Sequence, residues 1–224
     1  MRSDMKITGI SESPLFRNIS VDEAESMLHC LSAVKKSYRK GELIFRAGDA
    51  AKTMAMVLSG SVEIIHDDIW GNRQIMGTAH PGELFGESYA CMMDAEFMVS
   101  SRAAEDCEIL FMEVGRILTT CSSACEFHNR LIHNLLYVLA SNNLRLTRKI
   151  EHMGQRNIRE KVMAYLSFQA EKWKTDTFEI PFNRQQLADY LAVDRSALSA
   201  ELSRMQKEGI LSFERNRFSI RMKI

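Results

Sequence analysis

The stretch NRQQLADYLAVDRSALSAELSRMQKEG, residues 183–209, decides how this chain is read. Asn183 with Gln186 at the third helical position has the form of a capping box, so a helix starts at Arg184 and runs to Leu191. The pair Ala192-Val193 turns the chain. Asp194 caps a second helix that runs to Glu208, and Gly209 stops it. Ala188, Leu191, Val193, Leu198, Leu202 and Met205 make a shared core, with the small Ala188 where the helices cross. Two helices locked by a short turn form a helix-turn-helix. Ala192 stands at a turn position that often carries glycine; a positive φ there would cost on the order of 1–2 kcal/mol. Upstream, Phe178–Phe182 reads as a short strand. Downstream, Ile210–Glu214, the turn Arg215-Asn216 and Arg217–Met222 read as a two-stranded wing.

On a helical wheel the second helix turns Leu198, Leu202 and Met205 inward. Ser196, Ser199, Ala200, Ser203 and Lys207 face outward, with Arg204 flanking. The outward residues near its start are small, so the helix could sink into a major groove. Arg195 sits where a guanidinium could reach a guanine edge. Arg184, Arg215 and Arg217 are placed to meet phosphates, which position a domain without reading sequence, and Gln185 joins the candidate DNA-contacting set. Charge agrees. Residues 1–126 carry 12 Lys+Arg against 19 Asp+Glu, whereas residues 155–224 carry 13 against 9. A polyanion would favour the C-terminal part. The competing reading is an ordinary helical subdomain with a solvated face.

The N-terminal half is patterned differently. Seven of the 11 glycines lie between Gly41 and Gly86, and short apolar or alternating runs sit among and after them: Leu43–Phe45, Met54–Leu58, Val62–His66, Gln74–Thr78, Met98–Ala103 and Glu108–Met112. Short strands broken by turn residues suggest an antiparallel sandwich or barrel, with Trp70-Gly71-Asn72 as a hairpin turn. Ser20 with Glu23 caps a short helix toward Leu31. After Gly115, residues Ile132, Leu136, Leu139, Asn143, Leu146, Ile150 and Met153 recur in steps of four and three, the seam of a coiled coil with one register-fixing Asn. Two readings stand: a dimer helix, or one amphipathic helix packed on its own domain. Leu131, Leu135 and Val138 widen the stripe near its start, which suits packing on the sandwich. Gly154 ends this helix, Asn157 with Glu160 caps the next toward Trp173, and Met153–Asn157 is a candidate hinge.

Length and composition bound the class. At 224 residues, 46% hydrophobic and 26% charged, the chain can bury one large or two modest cores, which excludes disorder over most of its length. The longest tight apolar run, Leu135–Ala140, falls far short of the roughly 20 residues that span a bilayer. The opening Met-Arg-Ser-Asp-Met-Lys lacks the apolar segment of a signal peptide. Five cysteines, Cys30, Cys91, Cys107, Cys121 and Cys125, do not read as a disulfide framework and fit a reducing cytoplasm. There is no nucleotide-binding glycine fingerprint, no pair of zinc histidines on one helix and no Gly-x-Ser-x-Gly elbow, so no enzyme is expected and no catalytic or metal residue is assigned.

Taken together, Gly41-Glu42, Gly48-Asp49, Leu58-Ser59-Gly60-Ser61-Val62, Pro81-Gly82-Glu83-Leu84-Phe85-Gly86-Glu87, Asn183–Ala188 and the helix from Arg195 resemble the CRP/FNR superfamily of bacterial transcription factors over nearly the whole chain. The resemblance implies an α+β protein. Residues 1–126 would be a cyclic-nucleotide-binding-like double-stranded β-helix (jelly-roll-like) sensor domain, 127–154 a long central dimerisation helix, and 155–224 a winged helix-turn-helix. It implies a homodimer, a near-palindromic double-stranded DNA operator, an effector site, RNA polymerase as a further partner, and no membrane.

The sequence also departs from that family. Its cyclic-nucleotide binders follow Phe-Gly-Glu with an Arg-Ser/Thr-Ala unit that pairs the cyclic phosphate, while the Glu accepts from the ribose. Here Gly86 and Glu87 are kept, but Phe97 and Met98 stand at the phosphate-pairing positions, and Arg102 matches a second family arginine. An anion buried without a paired cation loses charge-assisted bonds and is desolvated. The expected effector is therefore not cyclic AMP. Tyr89, Met92, Met93, Phe97 and Met98 would make the region apolar, suited to an uncharged or aromatic small molecule, or filled by its own side chains. No cofactor is assigned. The alternative on the same fold is a redox or haem sensor using Cys121 and Cys125, spaced i, i+4, or His66 and His80. Ser196 and Ala200 replace the Glu and Arg of family members that read TGTGA-like half-sites, so a different operator is expected.

Overall fold

A computed structural model describes residues 10–220 except Ile69, Gly71, Asn72, Met93 and residues 119–125. The sequence readings on Gly71 and Asn72 of the hairpin turn, on Met93, on Cys121 and Cys125, on the end of the wing at Met222 and on the opening residues lie outside the described residues. The chain divides into two compact units, Met1–Ala140 and Ser141–Ile224.

The first unit begins with two single-turn 3-10 segments, Ile10–Glu12 and Pro14–Phe16, and helix α1 (Val21–Cys30). The α1 capping box is reciprocal: the Ser20 amide donates to the Glu23 carboxylate at 2.7 Å and the Glu23 amide to Ser20 Oγ at 3.3 Å. Strands β1 (Val34–Tyr38), β2 (Leu43–Phe45), β3 (Thr53–Ser59), β4 (Val62–Asp67), β5 (Arg73–Ala79) and β6 (Leu84–Phe85) follow, then helix α2 (Glu87–Ala90), β7 (Ser100–Ala103), β8 (Cys107–Glu113) and the short α3 (Val114–Leu118). They form two antiparallel sheets, in the orders β1-β8-β3-β6 and β2-β7-β4-β5. The six runs read from sequence are all strands, although the run from Met98 starts only at Ser100. Two strands escaped that reading: β1, whose sequence VKKSY is polar at its centre, and the two-residue β6.

Alternation explains why β3 and β8 are central. Met54, Met56 and Leu58 of β3, with Leu110 and Met112 of β8, face a layer that includes Leu15, Phe16, Leu28, Leu31, Leu131 and Leu135. Ala55, Val57 and Ile109 face the other way, toward Val62, Ala79 and Ala103 of the second sheet. Both faces are covered, so these strands read as continuous apolar runs. Gly60 sits between β3 and β4 at φ +76°, and a Cβ there would come within 2.5 Å of the Asp106 carbonyl oxygen, so the turn admits only glycine.

Helix α4 (Glu126–Met153) is the long helix anticipated from the apolar steps, and the boundary between the two units falls within it. Leu131 and Leu135 are fully buried in the first unit's core. The seam divides: Ile132 and Leu139 pack partly buried on that core, whereas Leu136, Leu146 and Ile150 are 57%, 55% and 71% exposed. Asn143 is also exposed and accepts from the Thr147 hydroxyl through its carbonyl, at 3.0 Å, and through its side chain, at 3.3 Å. Among the described residues no helix is long and apolar enough to cross a membrane.

The second unit continues from α4 through α5 (Ile158–Trp173), β9 (Thr177–Glu179), α6 (Arg184–Leu191), α7 (Arg195–Lys207), β10 (Leu211–Glu214) and β11 (Arg217–Ile220). Asn157 caps α5, its side chain accepting from the Glu160 amide at 2.9 Å. The Glu160 carboxylate reaches back to the Arg156 amide rather than to that of Asn157, so the second half of the expected box closes one residue early. The wing has three strands in the order β10-β11-β9, because β9 pairs with β11. Leu198, Leu202 and Met205 are fully buried against Val162, Leu166, Ala188 and Leu191. Burial stabilises by about 1.5–3 kcal/mol per side chain of this size.

Candidate nucleic-acid interface and effector pocket

The two helices of the motif are fixed by their own ends. The α6 capping box is complete: the Gln186 amide donates to Asn183 Oδ1 at 3.0 Å and the Asn183 amide to Gln186 Oε1 at 2.8 Å. At its other end Ala192 adopts φ 50°, ψ 58°. The Val193 amide bonds to the Ala188 carbonyl and the Ala192 amide to that of Asp189, a Schellman turn built without glycine. Asp194 then caps α7, accepting from the Ala197 amide at 2.8 Å and from the Ser196 hydroxyl. The Ser196 bond and then the Ala197 bond hold the Asp194 carboxyl below the usual range.

With that framework set, α7 turns Arg195, Ser196, Ala200, Ser203, Arg204 and Lys207 to solvent, with Ser199 half-buried. Ser203 donates to the Ser199 carbonyl at 3.0 Å, which keeps the row of small residues low. Arg195, Arg215 and Arg217 are exposed and have no carboxylate within ion-pair distance among the described residues. Arg215 lies at the wing turn with φ 53°. The wing turn is tied back by Asn216, whose carbonyl accepts from the Ile180 amide at 2.9 Å and whose side-chain amide donates to the Ile180 carbonyl at 3.2 Å.

Besides Ser196 and Ser203, three more residues of the predicted set are already engaged. Arg184 stacks its guanidinium on Phe213 at 4.8 Å and near Phe218 at 5.7 Å, and desolvation there lowers its pKa. It joins α6 to the wing and lines a groove of about 660 Å3 with Asn183, Gln186, Phe213, Arg215 and Asn216. Gln185 donates to Asp189 at 2.8 Å. Arg204 donates to Glu201 at 3.0 Å. Sequence reasoning missed the residue behind that pair. Arg159 of α5 donates to Glu201 at 2.6 Å and to both oxygens of Glu208 at 2.7 and 3.0 Å, bracing α7 along two turns. Its partners lie 42 and 49 residues away, so no local signal marks it.

The expected effector residues divide. Gly86, at φ 77°, precedes the first turn of α2, and a Cβ there would sit 3.0 Å from Phe45 and 3.1 Å from Phe97. Phe97 is buried, stacked on Phe45 with centroids 4.4 Å apart and edge-on to Tyr89 at 5.6 Å. Glu87 is buried, with its neighbour Ser88 donating to it at 3.2 Å. Met98 and Met92 do not join this cluster; they are 75% and 64% exposed. Arg102 is committed to Glu63 at 2.6 Å. His66 and His80 are exposed, and among the described residues no group of three or more His, Cys, Asp or Glu could hold a metal ion. Burial pushes the Cys91 and Cys107 thiols up, with the nearby Glu87 and Asp106 charges adding to it, so neither is poised as a thiolate.

A two-sheet jelly-roll followed by a long helix and a winged helix-turn-helix defines a DNA-binding transcription regulator on a cyclic-nucleotide-binding fold. Comparison with known proteins agrees. Residues 35–123 match the family described as "Cyclic nucleotide-binding domain", and residues 160–223 match the "Crp-like helix-turn-helix domain". The chain is 25% identical over 199 residues to the cyclic AMP receptor protein of Thermus thermophilus, covering 89% of this chain and 88% of that one. It is 25% identical over 185 residues to the transcriptional activator protein FnrA of Stutzerimonas stutzeri, covering 79% and 72%. Among solved structures, the global regulator CLP of Xanthomonas campestris superposes with a TM-score of 0.55 at 21% identity, over 89% of this chain and all of that one. The chain belongs to the CRP/FNR superfamily of transcription regulators.

Proposed function

We propose that the chain works as a homodimer that binds near-palindromic duplex DNA through α7 and answers to a small effector other than cyclic AMP. Residues 1–126 sense, 127–154 pair the two chains and 155–224 read DNA. The observation that carries the DNA reading is the outward face of α7: small residues Ser196, Ser199, Ala200 and Ser203 beside Arg195, which has no carboxylate partner among the described residues, with Arg215 and Arg217 on the wing. Such a helix can enter a major groove, Arg195 reading a base edge while Arg184, Gln185, Arg204, Arg215 and Arg217 hold phosphates. Pairing along Leu136, Leu146 and Ile150 would cover the apolar seam, and a two-fold axis there would set half-sites about one DNA turn apart. Such a regulator acts in the cytoplasm and meets RNA polymerase at the promoter.

The effector reading rests on Phe97. Its ring and that of Phe45 lie against Gly86, where an anion would need a cation. The names of the similar proteins point to cyclic AMP in one case and c-di-GMP in another, so the side chains of each pocket set the ligand. An uncharged or aromatic molecule beside Gly86, Glu87, Tyr89 and Phe97 fits these residues; Met98, exposed outside the cluster, would meet it only from the solvent side.

The test is selection of bound duplexes from a random pool, with and without cell extract as a source of effector, followed by sizing of the complex. A palindromic consensus bound by two chains is expected. A monomer both in dilute solution and on DNA, or no preference over competitor DNA, overturns the proposal.

A further inference from the structure

The end of α4 carries a cluster that the DNA reading does not use. His152, one residue before the helix ends, is 2% exposed. Its ring stands edge-on to Tyr165 of α5 at 5.6 Å and 89°, and lies 5.8 Å from Phe168 of α5 and 5.9 Å from Tyr190 of α6. Nδ1 is 3.0 Å from the Tyr190 hydroxyl. Two more α4 side chains close over the same rings. The Arg148 guanidinium is 4.7 Å from the Phe168 centroid and the Lys149 ammonium 5.8 Å from that of Tyr190. Phe182 packs on both tyrosines. Residues 148, 149 and 152 share one helix face. The seam residues Leu146 and Ile150, 55% and 71% exposed, lie on another.

We infer that His152 is a positioning residue whose ring, wedged among Tyr165, Phe168 and Tyr190, fastens the last turns of α4 to the winged helix, so that the rigid body carrying α7 begins inside α4 and not after Gly154. The sequence alone marks Met153–Asn157 as a joint. A joint there would swing freely if only that short link crossed it, but the aromatic cluster bridges it from both sides. The compact unit that contains the winged helix starts at Ser141, in keeping with this. The inference rests on the proposed function in one respect: with paired seams, a fastened α4 end transmits their geometry to α7 without a free joint between.

The charged and titratable groups facing His152 are Arg148, Lys149 and Glu151 on α4, Tyr165 on α5 and Tyr190 on α6. Burial holds His152 below the ordinary histidine value and Arg148 adds to this, while Glu151 opposes. A histidine buried neutral gives its full packing above the unfolded value, about 6.5, and loses it as pH falls through the lower folded value.

The test uses the full chain. Amide exchange is followed without DNA in wild type, His152→Phe and His152→Ala; should the last fail to fold, His152→Leu carries the same comparison. The 146–153 amides are expected to exchange in step with those of Leu187–Leu191 in wild type and in His152→Phe, and at least tenfold faster in the variant without a ring. Fraying of these amides independently of α6 in wild type, or equal protection in the ringless variant, overturns the inference. Affinity for a duplex selected from a random pool is then measured from pH 7.5 to 5. It is expected to fall several-fold more in wild type than in His152→Phe, and identical profiles overturn the role of the neutral ring. A wild-type chain that binds no duplex would defeat the DNA reading, while the exchange result would still decide the fastening.

Discussion

The two units treat polar chemistry in opposite ways. In the first unit the rings of Phe45, Phe97 and Tyr89 pack together beside Gly86, and Arg102 is bound to Glu63. In the winged helix, Arg195, Arg215 and Arg217 stand in solvent with no carboxylate partner among the described residues. One unit therefore lines this place with stacked aromatic rings, while the other leaves cations exposed on its surface. A cation left exposed and unpaired forms its best contact with something outside the chain; a ring stacked on rings is already satisfied.

The contrast can be broken by substitutions that act on one property and not the other. The largest effect is expected from Phe97→Ala, which should destabilise the first unit by about 3–5 kcal/mol in denaturant unfolding. A loss under about 1 kcal/mol would mean that the Phe45–Phe97 stack is not a filled core but a loose lining. Arg195→Ala should do the reverse, weakening binding to the selected duplex by about 1–3 kcal/mol and relaxing preference at one base position, with stability changed by no more than about 0.5 kcal/mol. Fluorescence anisotropy against matched and singly altered duplexes reads both quantities. Arg217→Ala should weaken binding evenly across sequences and reduce the slope of log affinity against log salt by about 1. An unchanged slope would remove the wing from the phosphate contacts.

Acid should act on the brace of α7. The Arg159 hydrogen bond holds Glu208 below its ordinary pKa, and the Ser196 and Ala197 bonds do the same for Asp194. Depressed carboxylates contribute stability that is present above their unfolded values, near 4, and is lost as pH falls through the folded values. Arg159→Met should flatten part of that acid loss, as measured by unfolding midpoints between pH 6 and 3; parallel curves would show that the pairs are too well solvated to matter. The smallest effect belongs to Ala192→Gly. It should relieve about 1–2 kcal/mol of left-handed strain and give back about 0.5–1 kcal/mol in unfolded-chain freedom, a net gain between about 0 and 1.5 kcal/mol in denaturant unfolding.

Local chemistry was legible in the sequence wherever both partners lie close in the chain. Asn183 with Gln186, Asp194 with Ala197, and Ser20 with Glu23 are contacts within three residues, and each was readable from residue type and spacing. The inward rows Leu198, Leu202 and Met205 followed from helical period. What stayed hidden depends on distant partners. β1 was missed because VKKSY lies at the edge of its sheet and needs little apolar character; only its pairing with β8 makes it a strand. Arg159 and His152 read as ordinary helix residues until α7 and α6 are folded beside them. The same holds for Arg184, placed among the phosphate contacts by position, whose stacking on Phe213 depends on the return of the wing.

The brace from α5 has one more consequence. Glu201 is turned toward α5, away from the row of small residues, two guanidiniums share it, and its side chain is only 13% exposed. If a phosphate draws Arg204 away, Arg159 stays behind at 2.6 Å and keeps the carboxylate screened. On the proposed DNA reading, the helix would thus lend one of its cations to an approaching backbone without baring a repelling charge.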